Sequence, residues 1–499
     1  MTTTSVSASS ATRCSTGIEG LDQILGGGLP PNRLYLVQGQ PGVGKSTLAL
    51  QFLLEGVRRG ERVLYITLSE TREELENVAQ SHGWSTAKIN LFEMSAKDAL
   101  QQEADATFFH PSEVELNRTT KALTDEVART NPARIVFDSL SEMRMLADTP
   151  LRYRRQILQL KQFLAGRKCT VLFLDDLTSG THDLQVESIV HGVLSIVRSA
   201  PGFGNARRQL HVQKIRGVKY SEGLHDMVVQ TGGIVVFPRL IAADHNSSFK
   251  HESFSSGIAG LDALLGGGLD RGTSTMFMGP PGTGKSTLAI NFACAAAARG
   301  EKAMIFTFDE VVDTLVSRGR KLGMDVEPYI QSKLITVQQV DPAEIAPGEL
   351  AHQIRSAVLK DSVRMVVIDS INGYINAMPE ERHLNMQLHE LLSFLNQQGV
   401  ITIMILAQQG LVGPMQSGVD LTYLADTVLI LRYFEALGAV RQAASVIKKR
   451  TGNHERTIRE FKVDTTGITV GEPLSNMHGV LTGVPKIGIG ANELTVAAK

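Results

Sequence analysis

Two short stretches of this 499-residue chain have the spacing of a phosphate-binding loop, G-x-x-x-x-G-K-[ST], at residues 39–46 and 279–286. The glycines of such a loop let backbone N–H groups turn inward around phosphates, at the positive end of the following helix. The lysine would reach the β- and γ-phosphates of ATP, and the first hydroxyl would ligate Mg²⁺. The predicted nucleotide ligands are Gly39, Gly42, Gly44, Lys45, Ser46 and Thr47, and Gly279, Gly282, Gly284, Lys285, Ser286 and Thr287.

Two aspartates are candidates for the other side of the metal. Asp138 and Asp369 each end an apolar run and are followed by serine, which is the Walker B pattern. A carboxylate at the carboxyl end of a strand holds the metal ion in such sites. An acid after an apolar strand means little alone. Because each one accompanies a phosphate loop, we predict that Ser46 with Asp138 and Ser286 with Asp369 form the two metal sites.

Acidic residues also follow the strand that comes after each phosphate-loop helix. They are Glu70 after Ser69 in the first copy, and the pair Asp309 and Glu310 in the second. That edge of the sheet lies near the γ-phosphate, where a carboxylate orients or deprotonates the attacking water. We predict Glu70, Asp309 and Glu310 as catalytic residues. A solvated strand end or a helix N-cap is the alternative.

Two K-x-R sequences supply cations, Lys214 with Arg216 and Lys448 with Arg450. On a strand, side chains two residues apart project to the same side. Both sequences are far along the chain from their own phosphate loop, which suits a γ-phosphate contact made by a neighbouring subunit, as an arginine finger. A solvated strand face is the alternative.

An internal duplication organises these motifs. Residues 17–22, 25–29 and 39–47 recur 240 residues later, so the chain consists of two copies of one domain. We predict a flexible tail at 1–13, domains at 14–240 and 256–470, a linker at 241–255 and a C-terminal tail at 471–499.

Apolar strand patterns alternate with helical patterns in each copy. Such strands indicate a mostly parallel sheet with helices on both faces. The predicted strands are 33–38, 62–68, 134–138 and 170–176, then 303–308, 364–369 and 401–406. The predicted helices of the first copy are 45–59, 72–83 and 151–165.

Composition narrows the function. Hydrophobic residues make up 42% and charged residues 20% of the chain, which is typical of a globular protein. A formal net charge of −1 gives no general basic field for nucleic acid. The three cysteines are far apart and read as reduced core residues. With no signal-peptide pattern and no apolar run of about 20 residues, we expect a cytoplasmic protein without a membrane partner.

These motifs, together with the opening Ser15–Asp22 sequence S-T-G-I-E-G-L-D and the run 458–461, closely resemble the KaiC family over residues 14–484. This family comprises the double-domain RecA-like ATPases of cyanobacterial clocks and their bacterial relatives. The resemblance implies two tandem RecA-like P-loop domains and a two-tiered homohexamer with ATP between neighbouring subunits. It also implies slow ATPase activity and Ser/Thr autokinase chemistry in the second tier.

Two positions depart from the family pattern. Ser69 stands where a first acid is usual, which leaves Glu70 alone in the first copy. Before Asp426, Thr422 and Tyr423 stand at the positions of a Ser-Thr phosphoacceptor pair, so Thr422 is the candidate phosphoacceptor. The C-terminal tail differs from that of the clock protein, and no KaiA-type partner is expected there. A KaiB-like or signalling partner is compatible with the first tier, although no particular residue indicates it.

Two other functions use the same core. A RecA- or DnaB-type nucleic-acid motor needs basic, often aromatic-lined loops, and no such run follows either Walker B strand. An assembly scaffold in which ATP only holds subunits together is the other alternative, and Ser69 favours it for the first tier.

Overall fold

The computed structural model describes residues 13–94, 111–147, 149–177, 184–200, 204–341, 343–376, 384–408, 421–482 and 486–487. The chain divides into two compact units, between Arg239 and Leu240. Residues 1–12 of the predicted N-terminal tail, and residues 483–485 and 488–499 of the C-terminal one, lie outside the described ranges. No helix within those ranges has both the length and the apolar character needed to cross a membrane.

Unit 1 alternates strands and helices. Its helices are α1 (Glu19–Ile24), α2 (Lys45–Arg58), α3 (Arg72–Ser81), α4 (Pro111–Thr130), α5 (Leu140–Leu146), α6 (Pro150–Ala165) and α7 (Leu184–Ile189). Its strands are β1 (Leu34–Gly39), β2 (Val63–Thr67), β3 (Asn90–Glu93), β4 (Arg134–Asp138), β5 (Thr170–Asp176), β6 (Gly192–Ser199), β7 (Arg207–Ile215), β8 (Leu224–Gln230) and β9 (Gly233–Phe237).

The described strands of unit 1 form one sheet in the order β3-β2-β4-β5-β1-β6-β7-β8-β9. The pairings from β3 to β6 are parallel, and those from β6 to β9 are antiparallel. Alternate residues of β1 enter different hydrophobic clusters: Leu34 and Leu36 pack with α6, whereas Tyr35 and Val37 pack with α2. Since successive side chains point to opposite faces, helices cover both faces of the parallel part.

Unit 2 repeats this order. Its helices are α8 (Ala259–Leu264), α9 (Lys285–Ala298), α10 (Val312–Lys321), α11 (Glu327–Gln331), α12 (Pro347–Lys360), α13 (Ile371–Asn376) and α14 (Leu384–Gln397), with short 3₁₀ turns at Ala242–Asp244 and Val480–Thr482. Its strands are β10 (Ser253–Phe254), β11 (Leu269–Asp270), β12 (Ser274–Gly279), β13 (Lys302–Thr307), β14 (Ile335–Gln339), β15 (Val363–Asp369), β16 (Ile401–Ala407), β17 (Thr427–Ala436), β18 (Ala439–Lys449), β19 (Arg459–Asp464), β20 (Gly467–Pro473), β21 (Met477–His478) and β22 (Lys486–Ile487). The main sheet has the order β14-β13-β15-β16-β12-β17-β18-β19-β20, equivalent to that of unit 1.

The opening motif of each copy has a structural role. Asp22 accepts hydrogen bonds from the backbone and hydroxyl of Thr16, both at 2.8 Å, and Asp262 binds Ser256 in the same way. A Cβ at Gly20 would lie 1.8 Å from the Val236 carbonyl oxygen, so only glycine lets α1 approach β9 this closely. The repeated G-I-x-G-L-D motif therefore stabilises the start of each domain.

The predicted fold class is confirmed: two tandem α/β domains, each with a mostly parallel sheet covered by helices. The predicted strands agree with the structure within two residues at each end. In the segment 241–255, the Ala242 N–H donates to Glu390 Oε2 at 3.0 Å and the Ser247 hydroxyl to the Gln397 carbonyl at 2.9 Å, both within unit 2. Within residues 471–499, β20 continues to Pro473, and Val480 is buried.

Candidate nucleotide-binding sites

Each phosphate loop lies between a buried central strand and a 14-residue helix. In unit 1, β1 ends at Gly39 and α2 begins at Lys45. Gly42 and Gly44 have φ angles of 75° and 109°, in the left-handed region that L side chains disfavour. Gly282 and Gly284 repeat this with φ angles of 81° and 90°. The loop geometry thus depends on glycine, and it places free N–H groups at the start of the helix, where an anion is stabilised.

The two lysines are buried at the base of their loops. Lys45 Nζ donates to the carbonyl oxygens of Gly39 and Gln40 at 2.9 and 3.0 Å, and it lies 2.5 Å from Asp176 Oδ1. Lys285 Nζ donates to the carbonyls of Gly279 and Pro280 at 2.8 and 2.6 Å. Burial lowers the pKa of Lys285 to about 8. A bound phosphate would supply the negatively charged partner that this buried ammonium needs.

The predicted metal ligands lie together. In unit 1 the Ser46 hydroxyl donates to Asp138 Oδ2 at 3.3 Å, and the Tyr65 hydroxyl donates to the same oxygen at 2.5 Å. Burial raises the pKa of Asp138, and these two hydroxyls partly oppose the shift. Burial likewise raises the pKa of Asp369, opposed by the Ser286 hydroxyl. A hydroxyl beside a carboxylate is a donor set that Mg²⁺ accepts, so these residues fit the ion that the phosphate loops imply.

Glu70 and Glu310 occupy equivalent positions but differ in their neighbours. Oε2 of Glu70 is buried without a hydrogen-bond partner in the described ranges. Burial, and then the Asp138 charge, raise the pKa of Glu70 to about 7. Glu310 instead lies 2.7 Å from the guanidinium of Arg318, which opposes the rise that burial causes in its pKa. Glu310 is therefore the better-stabilised anion of the two.

The two units carry a further acidic residue at different positions in the chain. Asp309 accepts a hydrogen bond of 2.9 Å from the hydroxyl of Ser370, the residue after the Walker B aspartate. A Cβ at Gly373 on α13 would lie 3.3 Å from both Asp309 carboxylate oxygens. In unit 1 the corresponding positions are Ser69 and, on α5, Glu142. Burial, and then the charges of Asp176 and Asp138, raise the pKa of Glu142.

The K-x-R cations lie at the end of the strands opposite to the phosphate loops. Lys214 pairs with Val193 near the beginning of β6, where Gly192 pairs with Tyr35 of β1. The phosphate loop begins at Gly39, four residues along β1 from Tyr35, which corresponds to about 13 Å. Lys448 of β18 pairs with Val428 in the same way.

Each K-x-R pair donates to carbonyls in its own unit. Lys214 Nζ donates to the Glu187 carbonyl, and Arg216 donates to that of Ser188 at 2.7 Å. Lys448 Nζ contacts the carbonyls of Thr422 and Ala425 at 2.9 and 2.7 Å. Both cations of a pair therefore lie on one side of the strand end.

The candidate phosphoacceptor lies beside this second pair. Thr422 is half-buried in the turn that precedes β17. The next residue, Tyr423, is 54% exposed, and its carbonyl accepts a 3.0 Å hydrogen bond from Arg450. Thr422 and the second K-x-R sequence thus share one edge of unit 2, opposite the phosphate loop of that unit.

Sequence reasoning missed four residues of the two sites: Tyr65, Glu142, Asp176 and Arg318. Asp176 had a detectable signal, since it ends an apolar strand as Asp138 does. Arg318 had none, because only the packing of α10 brings a helix residue to the end of β13.

Comparison with known proteins finds matches to both units of the chain. A family model described as the KaiC ATPase matches residues 14–241 and 254–475. The circadian clock protein KaiC3 of Synechocystis sp. is 26% identical over 479 residues, which cover 94% of each chain. The circadian clock protein KaiC2 of the same organism is 27% identical, over 98% of this chain and 86% of its own. The circadian clock oscillator protein KaiC of Synechococcus elongatus is 25% identical, over 94% and 91%.

Proposed function

The chain belongs to the KaiC family of ATPases, and from this premise we propose that it hydrolyses ATP with Mg²⁺ at both phosphate loops, at the subunit interfaces of a two-tiered homohexamer. One observation carries the proposal. In each unit a buried lysine lies at the start of the helix that follows a glycine loop, beside a serine and an aspartate whose pKa is raised by burial.

The residues of each site divide into binding and chemical roles. Lys45 and Lys285 would hold the phosphates, and Ser46 with Asp138 and Ser286 with Asp369 would hold the metal. Magnesium, when bound, neutralises charge on the transferring phosphoryl group. Glu70 and Glu310 would accept a proton from the attacking water, or orient it, because they lie at the same edge of the sheet as the metal ligands. Asp309 would assist Glu310 in orienting the attacking water at the second site.

The position of the K-x-R pairs supports the proposed ring. Lys214 and Arg216 lie about 13 Å along the sheet from their own phosphate loop, at its opposite end. They cannot contact their own γ-phosphate, but a neighbouring subunit arranged head-to-tail would receive them. Lys448 and Arg450 occupy the equivalent place in unit 2. Such a heterologous contact generates a ring when its rotation closes, and two units on each chain would then make two tiers.

Autophosphorylation in the second tier is the finer part of the proposal. Thr422 lies on the edge that carries Lys448 and Arg450, so whatever brings Arg450 to a neighbour's γ-phosphate brings Thr422 close to it as well. The Thr422 hydroxyl would attack that phosphorus, ADP would leave, and the hydroxyl proton would pass to a carboxylate such as Glu310. Phosphopeptide mass spectrometry after incubation with Mg-ATP should find phosphate on Thr422. An unmodified Thr422 while ATP is consumed would refute this step.

The biological role is inferred from the relatives. Three of them are circadian clock proteins by name, and we propose that this chain is a signalling or timing module in the cytoplasm. A KaiB-like or signalling protein would be its partner.

The phosphate-loop lysines test the proposal directly. Lys45→Ala and Lys285→Ala should each abolish turnover at one site, and the double variant should lose ATP hydrolysis by at least about 100-fold, since each lysine carries a phosphate contact made in the transition state. Steady-state phosphate release measures this. Lys88→Ala removes an exposed lysine of unit 1 and serves as the control. If all three loop variants hydrolyse ATP like the parent, the two loops are not the catalytic sites.

A further inference from the structure

The phosphate-loop lysine of unit 1 has a complete set of partners before any nucleotide is considered. A lysine ammonium has three N–H donors. Lys45 directs them to the carbonyls of Gly39 and Gln40 and to the carboxylate of Asp176, which is 2.5 Å away. A phosphate can therefore contact this lysine only by displacing one of the three, and the carboxylate is the partner that the backbone does not fix.

Asp176 is placed there by the sheet. It is the last residue of β5, and it pairs in register with Gly39, the first residue of the phosphate loop. Its N–H donates to the Ser141 hydroxyl at 3.1 Å, which fixes the backbone of the strand end. Its side chain is 30% exposed, whereas that of Lys45 is 8% exposed. The carboxylate thus lies at the open side of the loop, over a buried ammonium.

Unit 2 contains a natural control for this contact. Gly279 pairs with Ala407 at the end of β16, in the register in which Gly39 pairs with Asp176. Alanine has no carboxylate, and the described contacts of Lys285 Nζ use two of its three donors, both on carbonyls.

We propose that Asp176 is a specificity-determining residue of the first site, which holds Lys45 when nucleotide is absent and competes with the γ-phosphate for it. This rests on the proposed function, in which Lys45 contacts the phosphates of ATP. The carboxylate repels the γ-phosphate, which carries the terminal charge, more than it repels the phosphates of ADP. The first site therefore binds ATP more weakly than the second and discriminates less between ATP and ADP.

Equilibrium binding tests this without reference to turnover. Full-length chains with one active loop each are used, Lys285→Ala for the first site and Lys45→Ala for the second, and Kd for ATP and for ADP is measured by titration calorimetry with Mg²⁺. Asp176→Asn should tighten ATP binding at the first site by on the order of tenfold, and ADP binding by less, since an ammonium–carboxylate contact of this kind opposes binding by about one decade. Ala407→Asp should weaken ATP binding at the second site by a similar factor. Glu73→Gln, which removes an exposed charge of unit 1, is the control.

The other outcomes are distinguishable. Unchanged or weaker ATP binding by Asp176→Asn overturns the inference, and weakening seen only with Mg²⁺ identifies Asp176 as a metal ligand instead. If neither single-loop chain binds ATP, the proposed function fails and the inference fails with it. If both bind ATP and Asp176→Asn does not tighten binding, the inference alone fails. Circular dichroism shows whether Ala407→Asp is folded, and Ala407→Asn separates the effect of charge from that of size.

Discussion

In unit 1 the phosphate-loop lysine faces Asp176, and Glu70 has a buried oxygen without a described hydrogen-bond partner. In unit 2 the lysine position faces Ala407, and the equivalent Glu310 is paired with Arg318. Each site therefore contains one ion pair that the motifs do not predict. This pair involves the phosphate-loop lysine in unit 1 and the glutamate in unit 2. The first restrains the cation that should meet phosphate, and the second restrains the carboxylate that should meet water.

This difference shows how duplicated sites diverge while the motifs stay the same. The position of Arg318 on α10 is occupied by Val78 on α3, and that of Tyr65 on β2 by Ile305 on β13. An acid follows β13 as Asp309, while in unit 1 the extra acid stands on α5 as Glu142. The changes alter charge around a loop motif that both copies share, so the two sites should differ in affinity and pH dependence, and less in the kind of reaction.

The largest expected effect should be shared by both sites. Arg216→Ala and Arg450→Ala should each lower turnover at the corresponding tier by about 10³-fold, the usual effect of removing an arginine finger. Steady-state phosphate release from chains with one active loop measures each tier. Arg456→Ala, at an exposed arginine, should have no such effect. Mixed rings of Arg450→Ala and Lys285→Ala chains should recover part of the second-tier activity, and no recovery in verified mixed rings would contradict a site shared between subunits.

A smaller effect is expected when the residues at positions 318 and 78, which differ between the two sites, are exchanged. Arg318→Val removes the cation that opposes the raised pKa of Glu310, so less of this base is ionised at pH 7. The pH profile of turnover at the second site should move upward, so turnover should fall most at the acidic end of the profile. Val78→Arg should move the profile of the first site downward, because it brings a cation towards Glu70. Profiles that do not move would show that neither glutamate limits the rate.

The smallest effect concerns stability without ligand. The pKa of Glu70 is raised to about 7, from an ordinary value of 4.5, so its ionised form is less favourable in the folded state than in the unfolded one. Its protonated form favours folding at low pH, and this contribution is lost as pH rises towards and through 7. Glu70→Gln should thus gain about 1 kcal/mol relative to the parent between pH 5.5 and pH 8, after allowance for partial exposure, or roughly 2–4 °C in Tm.

Thermal unfolding in EDTA, without nucleotide, measures this gain. Glu310→Gln should show a smaller gain, because Arg318 opposes the rise in the pKa of Glu310. Glu73→Gln provides the surface control. A constant difference between Glu70→Gln and the parent across this pH range would mean that Glu70 titrates near its ordinary pKa.

Much of the molecule could be predicted from local patterns. Apolar strands, helices with defined starts and the repeat of 240 residues predicted two α/β domains, and the glycine spacing predicted both loops. Lys45, Ser46 and Asp138 could be predicted as site residues because each lies at a fixed place relative to a strand or helix end. Of the antiparallel strands, only the K-x-R ends of β7 and β18 were predicted. Strands β8, β9, β19 and β20 were not, since half-exposed strands lack the continuous apolar runs of the parallel ones.

The sequence by itself determined that this protein has two ATP-type phosphate loops, with candidate metal ligands and bases, because these groups are encoded by short spacings along the chain. Only the tertiary structure decided which charges surround them. Asp176 meets Lys45 because β5 and β1 pair in one register, and Arg318 meets Glu310 because α10 packs beside β13. Such contacts depend on the register and packing of separate elements, which no local spacing records. The two loops look alike in sequence, but they are surrounded by different charges in the folded protein.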